Sequence, residues 1–304
     1  MKVKRRLLGS CIVPCNYVKD KRKNKGGTTI NNSSFMDELF FLKEKKDNMK
    51  SSRIMRIFEQ YMKEFDMNNT NIKVKYFHSL KVMELSSEIA TNMNIFTEEE
   101  ITVCELIGLF HDLGSFSKNP NFHILNDNED NTSKTLEILF TNGLIRKITK
   151  ETKYDAIIKF AIFSLNKNGY PNNLDSKIIS FCEVLKDADK IDTFRLTINY
   201  PYIDTRINSY PSALAYNEFK LFRKVESKLT ENNADEVLLV LSNIFSFYSK
   251  YSLYIVKQNN YIDKLIDALS FDDENVKKFF MSLKQVLNIY IERKIGDINV
   301  RQEV

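Results

Sequence analysis

The feature that most constrains the fold of this 304-residue chain is a helical period of apolar residues that recurs from residue 51 almost to its end. Apolar side chains repeat every three to four positions, the spacing that places them on one face of an α-helix. Glycine and proline number only eight and five, too few for the many tight turns of an all-β fold. We therefore predict an all-α protein, with helices over residues 51–66, 73–93, 98–112, 132–142, 152–165, 175–190, 211–230, 236–258, 260–270 and 273–294.

The positive charge of the chain is concentrated at its N-terminus. Residues 1–50 hold 13 Lys and Arg against 5 Asp and Glu, whereas the remaining residues hold 32 against 35. Polar stretches such as KDKRKNKGG and TTINNSS interrupt this segment, so we expect residues 1–48 to form a mobile basic extension. Such an arm could contact nucleic acid or an anionic membrane. Few aromatic residues are interleaved with its charges, which argues against nucleic acid.

The cysteines and the hydropathy of the chain favour a cytoplasmic protein. No stretch reaches the ~18 apolar residues that a membrane span requires. Cys104 and Cys182 lie in apolar helical runs, where a free thiol behaves as a small core residue. Cys11 and Cys15 could form half of a zinc site, but no second pair or nearby histidine completes it.

Two histidines and two aspartates lie on or beside the apolar faces of three predicted helices. His78 is the one strongly polar member of an apolar stripe in the 73–93 helix, and His111 shares the inward face of the next helix, just before Asp112. In the predicted 175–190 helix, Asp189 lies on the apolar face that is expected to point to the core. A buried carboxylate is costly unless it is paired or binds a metal. Taken singly, each residue also has a structural explanation, such as a hydrogen-bonded core histidine or an aspartate that reaches solvent at a helix end.

Taken together, the four residues resemble the ligand pattern of the HD-domain superfamily of metal-dependent phosphohydrolases. The pattern is one histidine, a His-Asp pair in LIGLFHDLGSF and a distal aspartate in EVLKDADKIDTFRL. The segments IKVKYFHSLKVMELSSEIA, LFTNGLIRKI and YDAIIKFAI resemble, in the same order, a bacterial branch of small HD-domain proteins. The resemblance implies an HD-domain helical bundle as the core, over residues 49–200. We expect additional C-terminal helices, over residues 201–304, to pack on that core.

The resemblance also implies roles for particular residues. The ligand set His78, His111, Asp112 and Asp189 would hold one divalent metal ion, and mixed nitrogen and oxygen donors suit Mn, Fe, Co, Ni, Zn or Mg. Asp112 is also the candidate catalytic residue, because it could orient the attacking water.

Two lysines beside Asp189 are candidate substrate ligands. Lys186 and Lys190 would bind the substrate phosphate as point charges. Solvated lysines at a helix end, where they complement the helix dipole, are an equally good interpretation of the same residues.

Several positions depart from the pattern of that branch. Ser115 stands where the branch has an arginine, Asn131 near the place of a further histidine, and Leu165-Asn166 in place of a His-Asn pair. Superfamily members that bind two ions use such extra histidines for the second ion, so we expect at most one metal here. His123 lies in the loop after the His-Asp pair, where an exposed loop histidine is the favoured interpretation.

Two functions are therefore expected from different classes of protein. The first is a metal-dependent phosphohydrolase that acts on a small phosphorylated substrate, a nucleotide or a related phosphoester. The second is a catalytically lapsed HD fold that binds a metal or a nucleotide as a sensor or interaction module. The intact ligand set favours the enzyme, whereas the missing histidines and Ser115 favour the sensor.

Overall fold

The structure, a computed structural model, is that of a helical protein. It describes residues 6–8, 11–13, 53–116, 131–167, 169–200 and 203–296. These residues form twelve α-helices, which confirms the predicted all-α fold class. The helices are α1 (Arg53–Met62), α2 (Thr70–Met93), α3 (Glu98–Phe110), α4 (Asn131–Leu136), α5 (Leu144–Ile148), α6 (Asp155–Ser164), α7 (Ser176–Asn199), α8 (Ala213–Lys220), α9 (Asn233–Leu241), α10 (Lys250–Gln258), α11 (Tyr261–Asp267) and α12 (Glu274–Ile295).

Short turns and strands complete the secondary structure of the described residues. A π-helical turn at Glu137–Thr141 continues α4, and 3-10 turns lie at Leu113–Ser115, Ser227–Leu229 and Ser242–Ser246. Strands β1 (Arg6–Leu8) and β2 (Cys11–Val13) pair antiparallel. Strands β3 (Arg206–Ile207) and β4 (Ser270–Phe271) pair in parallel. None of the helices in the described parts of the chain is both long and apolar enough to cross a membrane.

Three predicted helices differ clearly in extent from those of the structure. The predicted 236–258 helix is divided by the 3-10 turn at residues 242–246, and Ser249 then caps α10 by accepting a hydrogen bond from the Tyr251 amide. The predicted 211–230 helix ends at Lys220, because Phe222 adopts a left-handed conformation with φ of 56°. Helix α7 continues nine residues beyond the predicted end, to Asn199.

The chain forms two compact units that are interleaved in sequence. The first comprises residues 1–84 and 102–182, and the second comprises residues 85–101 and 183–304. Helices α2, α3 and α7 therefore each contain residues of both units. The domain boundaries expected from the sequence at 48/49 and 200/201 stay predictions, and most of the expected basic extension lies outside the described residues.

Aromatic and aliphatic packing holds the first unit together around α1, α2 and α3. The Phe58 ring stacks on Tyr76 and meets Phe110 edge to face, with ring centroids 5.6 and 5.7 Å apart. Phe58 and Phe110 are fully buried. Cys104 and Cys182 are buried free thiols, as predicted. This packing fixes α2 against α3, the two helices that carry the histidines of the candidate site.

In the second unit, a capping box starts α3. The Thr97 hydroxyl accepts a hydrogen bond from the Glu100 amide at 3.3 Å, and the Glu100 carboxylate accepts one from the Thr97 amide at 2.7 Å. The exchange satisfies two amide groups at the helix start, and three glutamates in the first turn complement the helix dipole. Thr97 is therefore the N-cap of α3.

Candidate metal centre

The imidazoles of His78 and His111 converge inside the first unit. Their Nε2 atoms lie 3.2 Å apart, and their rings cross at 71° with centroids 5.1 Å apart. Both side chains are buried. Helix α2 supplies His78 near its middle, and His111 follows the last residue of α3. Two histidines that are 33 residues apart in sequence thus present the same ring atom to one point.

A hydrogen bond to the backbone fixes the orientation of His111. Its Nδ1 lies 2.8 Å from the carbonyl oxygen of Gly108. A carbonyl can only accept, so Nδ1 carries the proton and the Nε2 of the neutral ring presents a lone pair. This is the arrangement by which metal-binding histidines are usually oriented, with the second ring nitrogen held by an acceptor.

Asp112 adds a carboxylate to the two imidazoles. One ligand atom from each of His78, His111 and Asp112 lies within 4.8 Å of the others. The Asp112 side chain is 16% exposed, and its Oδ2 accepts a hydrogen bond from Lys75 Nζ at 3.0 Å. Burial acts to raise the pKa of Asp112, but the charge of Lys75, followed by the electrostatic effects of His111 and His78, outweighs it and lowers the pKa. The carboxylate is therefore ionised at neutral pH.

The turn after Asp112 is braced by helix α4. The Ser115 hydroxyl donates to the Asp112 carbonyl at 2.7 Å, and the Gly114 amide donates to Thr135 Oγ1 at 2.9 Å. Gly114 approaches α4 so closely that a β-carbon there would lie 2.3 Å from the Asn131 carbonyl oxygen. Glycine is thus required at this position. Ser115 is fully buried, and its hydrogen bond to the Asp112 carbonyl helps to hold the turn in place.

The donor set fits a divalent metal ion. Two nitrogen ligands about 2.1 Å from one ion, at adjacent octahedral or tetrahedral positions, lie about 3.0–3.4 Å apart. The observed Nε2 separation of 3.2 Å falls in that range. Without a cation or a shared proton, two lone pairs at this separation would repel each other. Mixed nitrogen and oxygen donors are suited to Mn, Fe, Co, Ni, Zn or Mg, and the geometry does not select among these metals.

The remaining predicted site residues lie on helix α7 in the second unit. The side chain of Asp189 is buried, at 1% exposure, as the inward stripe predicted. Lys186 is buried too. Lys190 donates to the carbonyl oxygen of Ser246 at 2.5 Å and lies 3.8 Å from Asp187 Oδ1. The interpretation of the two lysines as solvated helix-end residues is therefore wrong, because α7 continues past them to Asn199.

Sequence reasoning missed Lys75, the ion-pair partner of Asp112. The available signal was its position three residues before His78, which places both side chains on neighbouring parts of one helix face. His123, the third histidine of the chain, lies outside the described residues. Two of the positions that differ from the expected family pattern, Asn131 and Leu165, lie within the described residues. Asn131 is buried in α4, and Leu165 follows the last residue of α6.

Comparison with known families identifies the class of protein. Residues 76–193 match the family model of the HD domain, and this match spans all four predicted ligands. This part of the chain is an HD domain, and proteins of the HD-domain superfamily are generally metal-dependent phosphohydrolases. No curated protein and no solved structure matched the chain. The bacterial branch named above stays a prediction.

Proposed function

We propose that the chain is a phosphohydrolase that binds a single divalent metal ion and hydrolyses a nucleotide or a related phosphoester. The observation that carries the proposal is the convergence of His78, His111 and Asp112, with one ligand atom of each within 4.8 Å of the others. A divalent ion bound there would supply a Lewis acid that activates water and neutralises charge on the phosphoryl group. These are two requirements of phosphoester hydrolysis.

Asp189 is the proposed fourth ligand. Its carboxylate is buried, and a buried carboxylate is stabilised by a cation or by hydrogen-bond donors. Its place in the HD pattern, distal to the His-Asp pair, supports the same role.

Asp112 is the proposed catalytic residue. Its lowered pKa keeps the carboxylate ionised, so that it can accept a hydrogen bond from the attacking water and orient it. Lys186 and Lys190 are the proposed ligands of the substrate phosphate. The contacts of Lys190 with Asp187 and Ser246 hold its ammonium group in a defined position, which suits a binding role.

A lapsed, metal-binding HD fold is the second candidate, and two observations favour it. Lys75 already places a positive charge 3.0 Å from Asp112 Oδ2, where it competes with a metal ion for the carboxylate. Ser115 is buried, and its hydroxyl donates a hydrogen bond to the Asp112 carbonyl. Position 115 therefore offers no side chain that could bind substrate. In this candidate the site binds an ion or a nucleotide without turnover.

One preparation of the protein tests both candidates. The metal content is measured, and hydrolysis of nucleotides and of generic phosphoesters is assayed with added Mn, Co or Mg. The enzyme predicts one ion per chain and metal-dependent turnover that falls by at least about a hundredfold in Asp112→Asn. The matched control Asp66→Asn changes an exposed aspartate and should leave turnover unchanged.

Two other outcomes decide against the enzyme. One bound ion per chain with no turnover on any phosphoester would assign the chain to the lapsed class. Absence of bound metal under all conditions, together with unchanged stability in Asp189→Ala, would exclude both versions of the site.

A further inference from the structure

The second unit carries an exposed apolar surface that the candidate metal centre does not use. Among the described residues, six of the ten large apolar side chains that are most exposed lie within residues 210–222 and 286–289. Soluble proteins scatter such side chains singly, and their concentration in one area marks an interaction site.

Ring contacts place these two stretches side by side. Phe222, just after α8, stacks on Tyr290 of α12 with centroids 5.4 Å apart and planes at 13°. Before α8, Tyr210 meets Phe279 of α12 edge to face at 5.5 Å. Phe279 and Tyr290 are eleven residues apart on α12 and lie on the same face of that helix. The region around α8 therefore runs along one face of α12.

The most exposed part of this surface is the turn that follows α8. Leu221 is 58% exposed and Phe222 is 52% exposed. Phe222 has a φ of 56°, a left-handed conformation that costs a non-glycine residue free energy. On α12, Val286 and Ile289 are also exposed. Val286 lies one helical turn before Tyr290, and Ile289 lies one turn after Val286, so Val286 neighbours both on the helix surface. We name Leu221, Phe222, Val286 and Ile289 the apolar patch.

Basic residues flank the members of the apolar patch along the chain. Residues 218–228 contain four Lys or Arg against two Glu, and residues 292–294 contain two against one. Lys220, Arg223 and Lys224 directly flank Leu221 and Phe222 in the sequence. The Lys294 ammonium lies 5.6 Å from the centre of the Tyr290 ring. The acidic groups of these stretches are each engaged by a basic one: Glu218 by Arg223, Glu226 by Lys228 and Glu292 by Lys257.

We propose that the apolar patch, with its flanking basic residues, binds the surface of an anionic lipid membrane. Half-exposed aliphatic and aromatic side chains insert between headgroups, and lysine and arginine beside them attract anionic lipid. Both components are present within one turn of chain, in Lys220–Lys224. The membrane is bound at its surface, without a spanning segment.

Two other occupants agree less well with the same observations. A second copy of the chain, related by a two-fold axis, would place the flanking basic residues of one copy against those of the other, which is repulsive. Single-stranded nucleic acid would use exposed ring faces for base stacking. One face of Phe222 is already covered by Tyr290, and the other members of the patch are aliphatic.

The test measures binding of the full chain to vesicles. Vesicles of phosphatidylserine and phosphatidylcholine are compared with vesicles of phosphatidylcholine alone by co-sedimentation at low and high salt. The expected result is binding to the anionic vesicles only, weakened by salt. Ile289→Glu removes one inserted side chain and adds a negative charge, so affinity should fall by about tenfold or more.

Matched controls separate the patch from the basic N-terminal segment, which is present in every variant. Ile95→Glu makes the same change at an isoleucine of equal exposure, 48%, outside the patch and should bind as the wild type does. The triple change of Lys220, Arg223 and Lys224 to Gln should weaken binding. The same change of three exposed lysines of the first unit, Lys147, Lys150 and Lys153, should weaken it far less. Leu221→Glu repeats the test if Ile289→Glu is not folded by circular dichroism.

Several results would overturn the proposal. One is that the wild type does not bind anionic vesicles. Another is that Ile289→Glu and Ile95→Glu bind these vesicles with equal affinity. A dimer detected by light scattering and dissociated by Ile289→Glu would assign the patch to a second copy instead. Binding of a single-stranded oligonucleotide that Ile289→Glu abolishes, with vesicle binding unchanged, would assign it to nucleic acid.

Discussion

Lys75 and Asp112 form an ion pair, with Nζ 3.0 Å from Oδ2, inside the group of residues proposed to bind a metal ion. Both side chains are largely buried, at 11% and 16% exposure, so solvent screens the pair less than it would at the surface. A single carboxylate is thereby presented with two cationic partners, a resident ammonium group and an incoming metal ion. The lysine lowers the pKa of the aspartate, which favours the ionised ligand, but it also competes for the same oxygen atoms.

Removal of the Lys75 charge should therefore tighten metal binding. In Lys75→Gln we expect the dissociation constant for Mn or Co, measured by titration calorimetry, to fall by roughly three- to tenfold, equivalent to about 1 kcal/mol. Lys73→Gln makes the same change at an exposed position of the same helix and should leave the constant unchanged. Weaker metal binding in Lys75→Gln would show that the lysine organises the site and does not compete for it.

Gly114 is predicted to be intolerant of any side chain. A β-carbon there would lie 2.3 Å from the Asn131 carbonyl oxygen and 2.7 Å from Lys134 Cβ, so the turn after Asp112 must move. Gly114→Ala should lower the free energy of unfolding by about 3 kcal/mol or more and weaken metal binding, since the turn positions Asp112.

Gly143→Ala is the control for this substitution. The position has φ of 74° but open space around it, so the cost should be limited to about 1 kcal/mol of backbone strain. Urea unfolding measures both variants. Equal destabilisation of the two, or unchanged metal binding in Gly114→Ala, would contradict the close-approach argument.

Lys190 is predicted to contribute to stability whether or not it binds substrate. Its ammonium donates to the Ser246 carbonyl and lies beside Asp187, a buried carboxylate that also accepts from the Ser249 amide and the Ser252 hydroxyl. Lys190→Gln removes the charge partner of Asp187 and should lower the free energy of unfolding by about 2 kcal/mol.

Lys250→Gln changes an exposed lysine of the same unit and is expected to alter stability by less than about 0.5 kcal/mol. Thermal unfolding compares the two variants. Loss of phosphoesterase activity in Lys190→Gln at wild-type stability would instead assign the residue to substrate binding alone.

The histidines of the site could be predicted from the sequence because helix periodicity fixes which face each side chain occupies. His78 interrupts an apolar stripe, and Asp112 follows His111 directly, so one pattern located three of the proposed ligands. The Lys75 ion pair could not be predicted in this way. It joins residues 37 positions apart, and its formation depends on how α2 packs against α3.

The missed helix ends have a related cause. The repeat of apolar residues in the sequence continues through the 3-10 turn at residues 242–246. A 3-10 helix has three residues per turn, close to the 3.6 of an α-helix, so both give a similar apolar repeat. Periodicity therefore cannot detect the end of α9. The left-handed residue just after α8 is Phe222. Glycine or asparagine usually occupies such a position, so the sequence gives no signal that the helix ends there. The position of Phe222 depends on ring packing against Tyr290 and Phe245.

The alkaline limit of stability is predicted to depend on two phenols of the first unit, those of the partly buried Tyr61 and the buried Tyr76. Burial, followed by the charge of Glu64, raises the pKa of Tyr61 to about 12. Burial and the hydrogen bond to Glu59, at 2.5 Å, raise the pKa of Tyr76 strongly. A phenol whose pKa is raised on folding contributes stability that is complete below its unfolded pKa, about 10, and is lost as pH rises above it.

Tyr76→Phe should therefore have an effect on stability that depends on pH. At neutral pH the variant loses the hydrogen bond to Glu59, and the free energy of unfolding should fall by about 1 kcal/mol. Above a pH of about 10 the wild type also loses stability as the unfolded tyrosine ionises, so the difference between the two proteins should shrink. Urea unfolding at a series of pH values measures this difference. Tyr210→Phe, at an exposed tyrosine, is the control, and a Tyr76→Phe difference that stays constant above that pH would contradict the assignment.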